Sequence, residues 1–201
     1  MATRQGAMHT PARPAIFLDR DGVIIENRDD YVKSWGEVRF VAGAFAALQR
    51  LSRSGHALVI VTNQSAVGRG IISLEQAIAI NREVVARIAE HGGRIDAVYL
   101  CPHHPSDGCT CRKPQPGMLR RAGQELGLDL SRSYLIGDAA SDLEAAQAAG
   151  VQGILVLTGR GREQVAHVPV GQEDTPPVFA DLTAALNYID PTTDPSTETG
   201  Q

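Results

Sequence analysis

Short runs of apolar residues alternate along the chain with segments whose apolar positions recur at helical spacing. The runs fall at residues 14–19, 57–61, 96–100, 134–137 and 153–157. Such runs suit strands buried on both faces of a parallel sheet. Helices are expected between them. The first spans Gly43 to Ser54, with Phe45, Ala46, Leu48 and Leu51 as its apolar positions and Gly55 as its stop. Ser73-Leu74-Glu75-Gln76 has the spacing of a capping box and opens a second helix, with Leu74, Ile78, Val85 and Ile88 on one face and Gly92-Gly93 beyond its end. Three more helices are expected at 117–126, capped by Gly127, at 142–149, closed by Gly150, and at 181–189. Residues 27–39 are polar and irregular, with Tyr31 and Trp35 as candidate anchors. The alternation predicts an α/β fold, a doubly wound and mostly parallel sheet with helices on both faces. One domain is expected over 14–189, with a flexible leader at 1–13 and a flexible Thr-, Pro-, Ser- and Glu-rich tail at 190–201.

In such sheets the working residues collect beyond the carboxyl ends of the strands. Asp19, Thr62 and Asp138 all lie at or just past such ends and are expected in one crevice. The first run ends in Asp19-Arg20-Asp21-Gly22. Two carboxylates spaced in this way repel unless a cation sits between them, and a divalent ion fits; one could attack phosphorus while the other moves protons. A surface turn rich in Asp and Gly has the same composition. Thr62-Asn63-Gln64-Ser65 closes the second run with small polar groups suited to phosphate oxygens, or to a plain polar turn. Gly137-Asp138 repeats the strand-to-acid theme, with Asp142 following as a second acid. Asp138 is placed to ligate a metal, and Asp142 suits either that site or the positive end of a helix.

All three cysteines lie between 101 and 111, in Cys101-Pro102-His103-His104 and Cys109-Thr110-Cys111. An odd, clustered set is poor disulfide arithmetic. Cys101, His103, Cys109 and Cys111 form a tetrahedral zinc set, with His103 preferred to His104 because its spacing mirrors the other arm. Zinc would order a loop too rich in Pro and Gly to order itself, and would fix the Arg112-Lys113 pair that follows. Lys113 can neutralise a phosphate and Arg112 can grip a second anion, unless both are simply solvated cations. His56, His91 and His167 read as ordinary residues.

The chain has 201 residues, 43% hydrophobic and 21% charged, with a net charge of −4. That balance argues against a nucleic-acid partner. No apolar run approaches the ~20 residues that cross a bilayer, and Met1 to Arg13 lacks a signal core. A cytoplasmic protein without a membrane partner is expected, and a monomer, since no apolar surface stripe calls for a second copy.

Taken together, these motifs resemble those of the haloacid dehalogenase superfamily of phosphatases, and the Cys-Pro-His-His…Cys-x-Cys-Arg-Lys-Pro loop resembles its heptose-bisphosphate and histidinol-phosphate phosphatase branch. The likeness spans about residues 14–190. It implies a Rossmann-like core without a large cap domain. Asp19 would be the nucleophile, and Asp21 the general acid and then base. Mg²⁺ would be held by Asp19, the Asp21 carbonyl and Asp138, and Zn²⁺ by Cys101, His103, Cys109 and Cys111. Thr62 and Lys113 would hold the transferring phosphoryl group. Asn63, Gln64, Ser65 and Arg112, with Asn27 and Asp30, would contact the rest of a small phosphorylated sugar. Loops near Asn27, Gly68 and the zinc site would shape the pocket. The implied reaction is hydrolysis of a sugar bisphosphate or of histidinol phosphate, against the alternative of a non-catalytic zinc-stabilised binding module. The chain departs from the family pattern in its short 103–109 spacing, in Val23 and in Ala139 directly after Asp138.

Overall fold

The structure, a computed structural model, describes residues 12–168 and 175–190. The expected leader and tail fall almost wholly outside these residues. Six parallel strands form one sheet: β1 (Arg13–Leu18), β2 (Ala57–Asn63), β3 (Ala97–Cys101), β4 (Leu128–Gly137), β5 (Gln152–Val156) and β6 (Val178–Phe179), in the order β3-β2-β1-β4-β5-β6. The helices are α1 (Ala44–Leu51), α2 (Ser65–Gly68), α3 (Leu74–Glu90), α4 (Gly117–Leu126), α5 (Ala140–Ala149), α6 (Gly161–Gln164) and α7 (Leu182–Ile189).

Side chains alternate faces along a strand, and this alternation splits the interior in two. Ile16, Leu18, Leu58 and Ile60 pack on one face with Leu48 and Leu51 of α1, Ile80, Val84 and Ile88 of α3, and Leu182 and Leu186 of α7. Ala15, Phe17, Val59 and Val61 pack on the other with Met118, Leu119 and Ala122 of α4 and Ala145 and Ala146 of α5. The central strand β1 is therefore apolar at consecutive positions, as double coverage requires.

Several sequence expectations change. The α3 capping box forms, with the Ser73 hydroxyl accepting from Gln76 N and Gln76 Oε1 accepting from Ser73 N. The buried face of α3, however, is Ala77, Ile80, Asn81, Val84 and Ile88, while Leu74 is 39% exposed. Of the expected face only Ile88 is fully buried; the small Ala77 and the polar Asn81 disguised the true stripe. Helix α1 ends at Leu51, short of Gly55, where the turn tightens: Arg53 N and Ser54 N bond only three residues back, to the Arg50 and Leu51 carbonyls. Strand β4 begins six residues earlier than its apolar run. Its first half is polar and pairs with β1 across a register shift between Pro14 and Ile16. The edge strand β6 has no apolar run long enough to announce it.

Trp35 packs edge-on against Phe40 at the margin of the first core. Tyr31, at φ +66°, packs against the small cluster of Ala66, Ile72 and Ala77. Among the described residues no helix is long and apolar enough to cross a membrane.

Candidate active site

The strands β2, β1 and β4 are neighbours, so their carboxyl ends deliver Thr62, Asp19 and Asp138 to one place. The loop before α4 adds Lys113, and the start of α5 adds Asp142. Lys113 Nζ lies 2.5 Å from Asp19 Oδ1 and 2.6 Å from Asp142 Oδ1, and donates to the Val61 carbonyl at 2.8 Å. Carboxylate oxygens of Asp19, Asp138 and Asp142 lie within 4.8 Å of one another. Asp142 Oδ2 also accepts from Ala139 N, so this residue both anchors Lys113 and opens α5.

These charges are almost sealed from water: Asp19 is 7% exposed, Lys113 3%, Asp142 1% and Asp138 0%. Burial pushes the Asp19 carboxyl up to about 8; Lys113 opposes the shift, while Asp142, Asp138 and Asp21 add to it. Burial also raises Asp138, to about 6, with Asp142 repulsion added and the Arg160 main-chain N–H opposing. Lys113 is held above its ordinary range because the attraction of Asp142 and Asp19 outweighs desolvation.

Three acids against one ammonium leave room for a cation, and the packing suits one. Asp138 Oδ2 accepts from Arg160 N at 2.8 Å, while its buried Oδ1 has no hydrogen-bond partner among the described residues. Glycines wall the same carboxylate: a Cβ would fall 2.1 Å from Asp138 Oδ2 at Gly22 and 2.3 Å from it at Gly159.

Asp21 stands beside this group. Its Oδ2 accepts from Arg20 Nε at 3.1 Å, Gln64 Nε2 at 3.0 Å and Thr62 Oγ1 at 3.4 Å, and its Oδ1 from Arg20 Nη2 at 3.0 Å. Gln64 Nε2 also reaches Thr62 Oγ1 at 2.7 Å. The Asn63 amide is spent on the Lys113 main chain, and Ser65 is buried at the start of α2. Arg112 Nη1 is buried and has no acceptor among the described residues. Asn27 is half-buried. Asp30 is exposed and paired with Lys33 at 2.5 Å and Arg28 at 2.9 Å; the Lys33 bond holds its carboxyl below the usual range. Sequence reasoning missed Arg20, Asn81 and Gly159. An arginine between two aspartates carries no sign of burial, and Gly159 lies far along the chain in a turn.

The cysteine loop forms a compact donor set. Cys101 Sγ and Cys111 Sγ are each 3.6 Å from Cys109 Sγ, and His103 Nδ1 is 3.5 Å from Cys101 Sγ and 3.2 Å from Cys111 Sγ. Tetrahedral zinc with bonds of about 2.3 Å to sulfur and about 2.0 Å to nitrogen requires edges of roughly 3.5–3.8 Å; three of these four edges match and the His103–Cys111 edge is a few tenths of an ångström short, so the set fits with a small adjustment of the His103 ring. Burial drives the Cys101 thiol up to about 12; at Cys109 burial acts in the same direction but is outweighed by the Arg112 N–H and the neighbouring thiols, and the thiol falls below its ordinary range. The His104 ring is engaged by Ser106 instead. Gly68 lies against the His103–His104 backbone, where a Cβ would sit 2.2 Å from His104 N. With Tyr31 against Ala66 and Ile72, the three loops meet one another.

A model of the HAD-hydrolase-like family matches residues 110–185. The D-glycero-beta-D-manno-heptose-1,7-bisphosphate 7-phosphatase of Pseudomonas aeruginosa is 43% identical over 150 residues, 75% of this chain and 84% of that one. The protein of the same name from Bordetella bronchiseptica is 41% identical over 176 residues, 87% of this chain and 96% of that one. The crystal structure of D,D-heptose 1,7-bisphosphate phosphatase from B. bronchiseptica, complexed with magnesium and phosphate, superposes with a TM-score of 0.82 at 38% identity, covering 88% of this chain and 97% of that one.

The chain belongs to the heptose-bisphosphate phosphatase family.

Within this family of HAD-like hydrolases it is an enzyme and a phosphatase, with the six-stranded α/β core expected from its sequence. The aspartate–lysine cluster is thus the candidate centre of phosphate ester hydrolysis.

Proposed function

We propose that this phosphatase removes phosphate from a small phosphorylated sugar, converting D-glycero-D-manno-heptose 1,7-bisphosphate to the 1-phosphate. The observation that carries the chemistry is the sharing of Lys113 between Asp19 and Asp142 beside the unbonded oxygen of Asp138. Asp19 attacks phosphorus in line and forms an aspartyl-phosphate as the bond to the sugar oxygen breaks. Asp21 gives that oxygen its proton. Asp21, now a carboxylate, takes a proton from water, which attacks phosphorus and releases inorganic phosphate and Asp19. Lys113 and the Thr62 hydroxyl stabilise the transferring group. Asp19, the Asp21 carbonyl and Asp138 would hold Mg²⁺, which when bound supplies the positive charge that lets a carboxylate approach a phosphate dianion. Cys101, His103, Cys109 and Cys111 would hold a structural Zn²⁺ that fixes Arg112 and Lys113. Spontaneous hydrolysis of phosphate monoesters is so slow that accelerations reach ~10²¹-fold; positioning and charge must therefore share the work.

The buried, unpaired Arg112 Nη1 supports a substrate with a second anionic group, and so favours a bisphosphate over histidinol phosphate. In this reading Ser65, Asn27 and Asp30 contact the rest of the sugar, and Asn63 and Gln64 act through Lys113 and Asp21. The enzyme works as a cytoplasmic monomer in this reading. A panel of sugar bisphosphates and histidinol phosphate tests it: the heptose bisphosphate should give the highest kcat/KM, losing only its 7-phosphate, and a preference for histidinol phosphate overturns it. Release of phosphate from a generic aryl phosphate with Mg²⁺ separates an enzyme from a mere binding module.

A further inference from the structure

Arg20 is among the largest fully buried side chains, 1% exposed. Its guanidinium forms a two-pronged fork on Asp21, with Nε on Oδ2 at 3.1 Å and Nη2 on Oδ1 at 3.0 Å, Nη2 lying also 2.9 Å from Oδ2. The remaining nitrogen, Nη1, donates to Asn81 Oδ1 at 2.6 Å. Asn81 sits mid-helix in α3, 4% exposed, on a face otherwise made of Ala and aliphatic residues. Its own Nδ2 has no acceptor among the described residues. A buried amide N–H left without an acceptor is destabilising, and an apolar residue would pack this position more favourably. What the asparagine contributes is one acceptor oxygen, directed at Arg20.

We infer that Asn81 and Arg20 are positioning residues that set the plane of the Asp21 carboxylate. Asp21 Oδ2 is crowded by Arg20, Gln64 and Thr62, whereas Oδ1 takes a single donor. Oδ1 is therefore the oxygen left for the leaving group and for water. Without the Asn81 acceptor the fork swings and Oδ1 loses its aim. The inference rests on the proposed acid–base role of Asp21.

The test uses Asn81→Ala, and Arg20→Lys, which keeps the charge but loses the fork, with p-nitrophenyl phosphate as substrate. Its phenolate leaves without a proton, so formation of the aspartyl-phosphate needs no help from Asp21, while its hydrolysis does. Both variants should lower kcat and KM together by about 10-fold or more, keep kcat/KM within about 3-fold, and show a burst of p-nitrophenolate. KM does not depend on the concentration of folded enzyme, so partial misfolding cannot imitate this result. A structural role predicts the opposite: kcat and kcat/KM fall together, KM holds, and no burst appears; that outcome overturns the inference. Asp21→Asn is the control. A burst in Asp21→Asn with none in the other two variants removes this inference alone, whereas no burst in Asp21→Asn removes the assigned role of Asp21 and the inference with it.

Discussion

One amide grips the Lys113 main chain from both sides: Asn63 Oδ1 accepts from Lys113 N at 3.0 Å, and Asn63 Nδ2 donates to the Lys113 carbonyl at 3.0 Å. The last residue of β2 thereby fixes the loop that carries the Lys113 ammonium. Neither bond is legible locally, since fifty residues separate the partners. Asn63→Ala removes both. At about 1 kcal/mol per bond and about 2–4 °C per kcal/mol for a domain of this size, its melting temperature should fall by roughly 4–8 °C. Its kcat should fall by about 10²-fold, as expected for a misplaced catalytic group. Unchanged kcat with the expected loss of stability would free Asn63 for direct substrate contact.

The carboxylate cluster makes the metal-free protein pH-sensitive. Asp138 has its pKa raised from 3.8 to about 6 by burial and by Asp142. A carboxyl group whose folded pKa is raised binds more protons folded than unfolded, so stability falls as pH rises through that window. The penalty is absent below pH 3.8 and complete above about 6. Asp138→Asn should therefore melt above the wild type at pH 7 without Mg²⁺, by several degrees, and match it near pH 4. Added Mg²⁺ should stabilise the wild type and leave Asp138→Asn unmoved. Equal melting curves for the two proteins at pH 7 would deny the strain.

Gly22 sits at φ +92° with Asp138 Oδ2 where its Cβ would be. Gly22→Ala should push that carboxylate aside, lower kcat by about 10²-fold or more and weaken stabilisation by Mg²⁺. Activity within about 3-fold of wild type would mean that Asp138 can move without cost.

The cysteine loop leads directly into Lys113. Elemental analysis of protein purified without chelator should find about one zinc per chain. Cys109→Ser should lose it, melt earlier and lose activity, because the Arg112-Lys113 segment is no longer held. An unchanged melting temperature would contradict a structural ion.

What the sequence showed depended on range. Asp19, Thr62 and Asp138 were readable because strand ends in a parallel sheet converge whatever the loops do. The cysteine set and the Ser73–Gln76 cap were readable because their partners are close in the chain. Three features were hidden for physical reasons. The first half of β4 is polar and joins β1 only through a register shift. The buried stripe of α3 runs through Ala77 and Asn81 in place of the larger Ile78 and Val85. Arg20 is buried only because a fork on its neighbour and an acceptor on α3 meet it in three dimensions.

The central claim is that phosphate passes through the Asp19 carboxylate. Borohydride added to enzyme during turnover reduces an acyl phosphate to the alcohol, and peptide mass analysis locates it. The account predicts homoserine at position 19 in wild type, more of it in Asp21→Asn, and none in Asp19→Asn. Reduction at another residue, or steady phosphate release by Asp19→Asn, would contradict it.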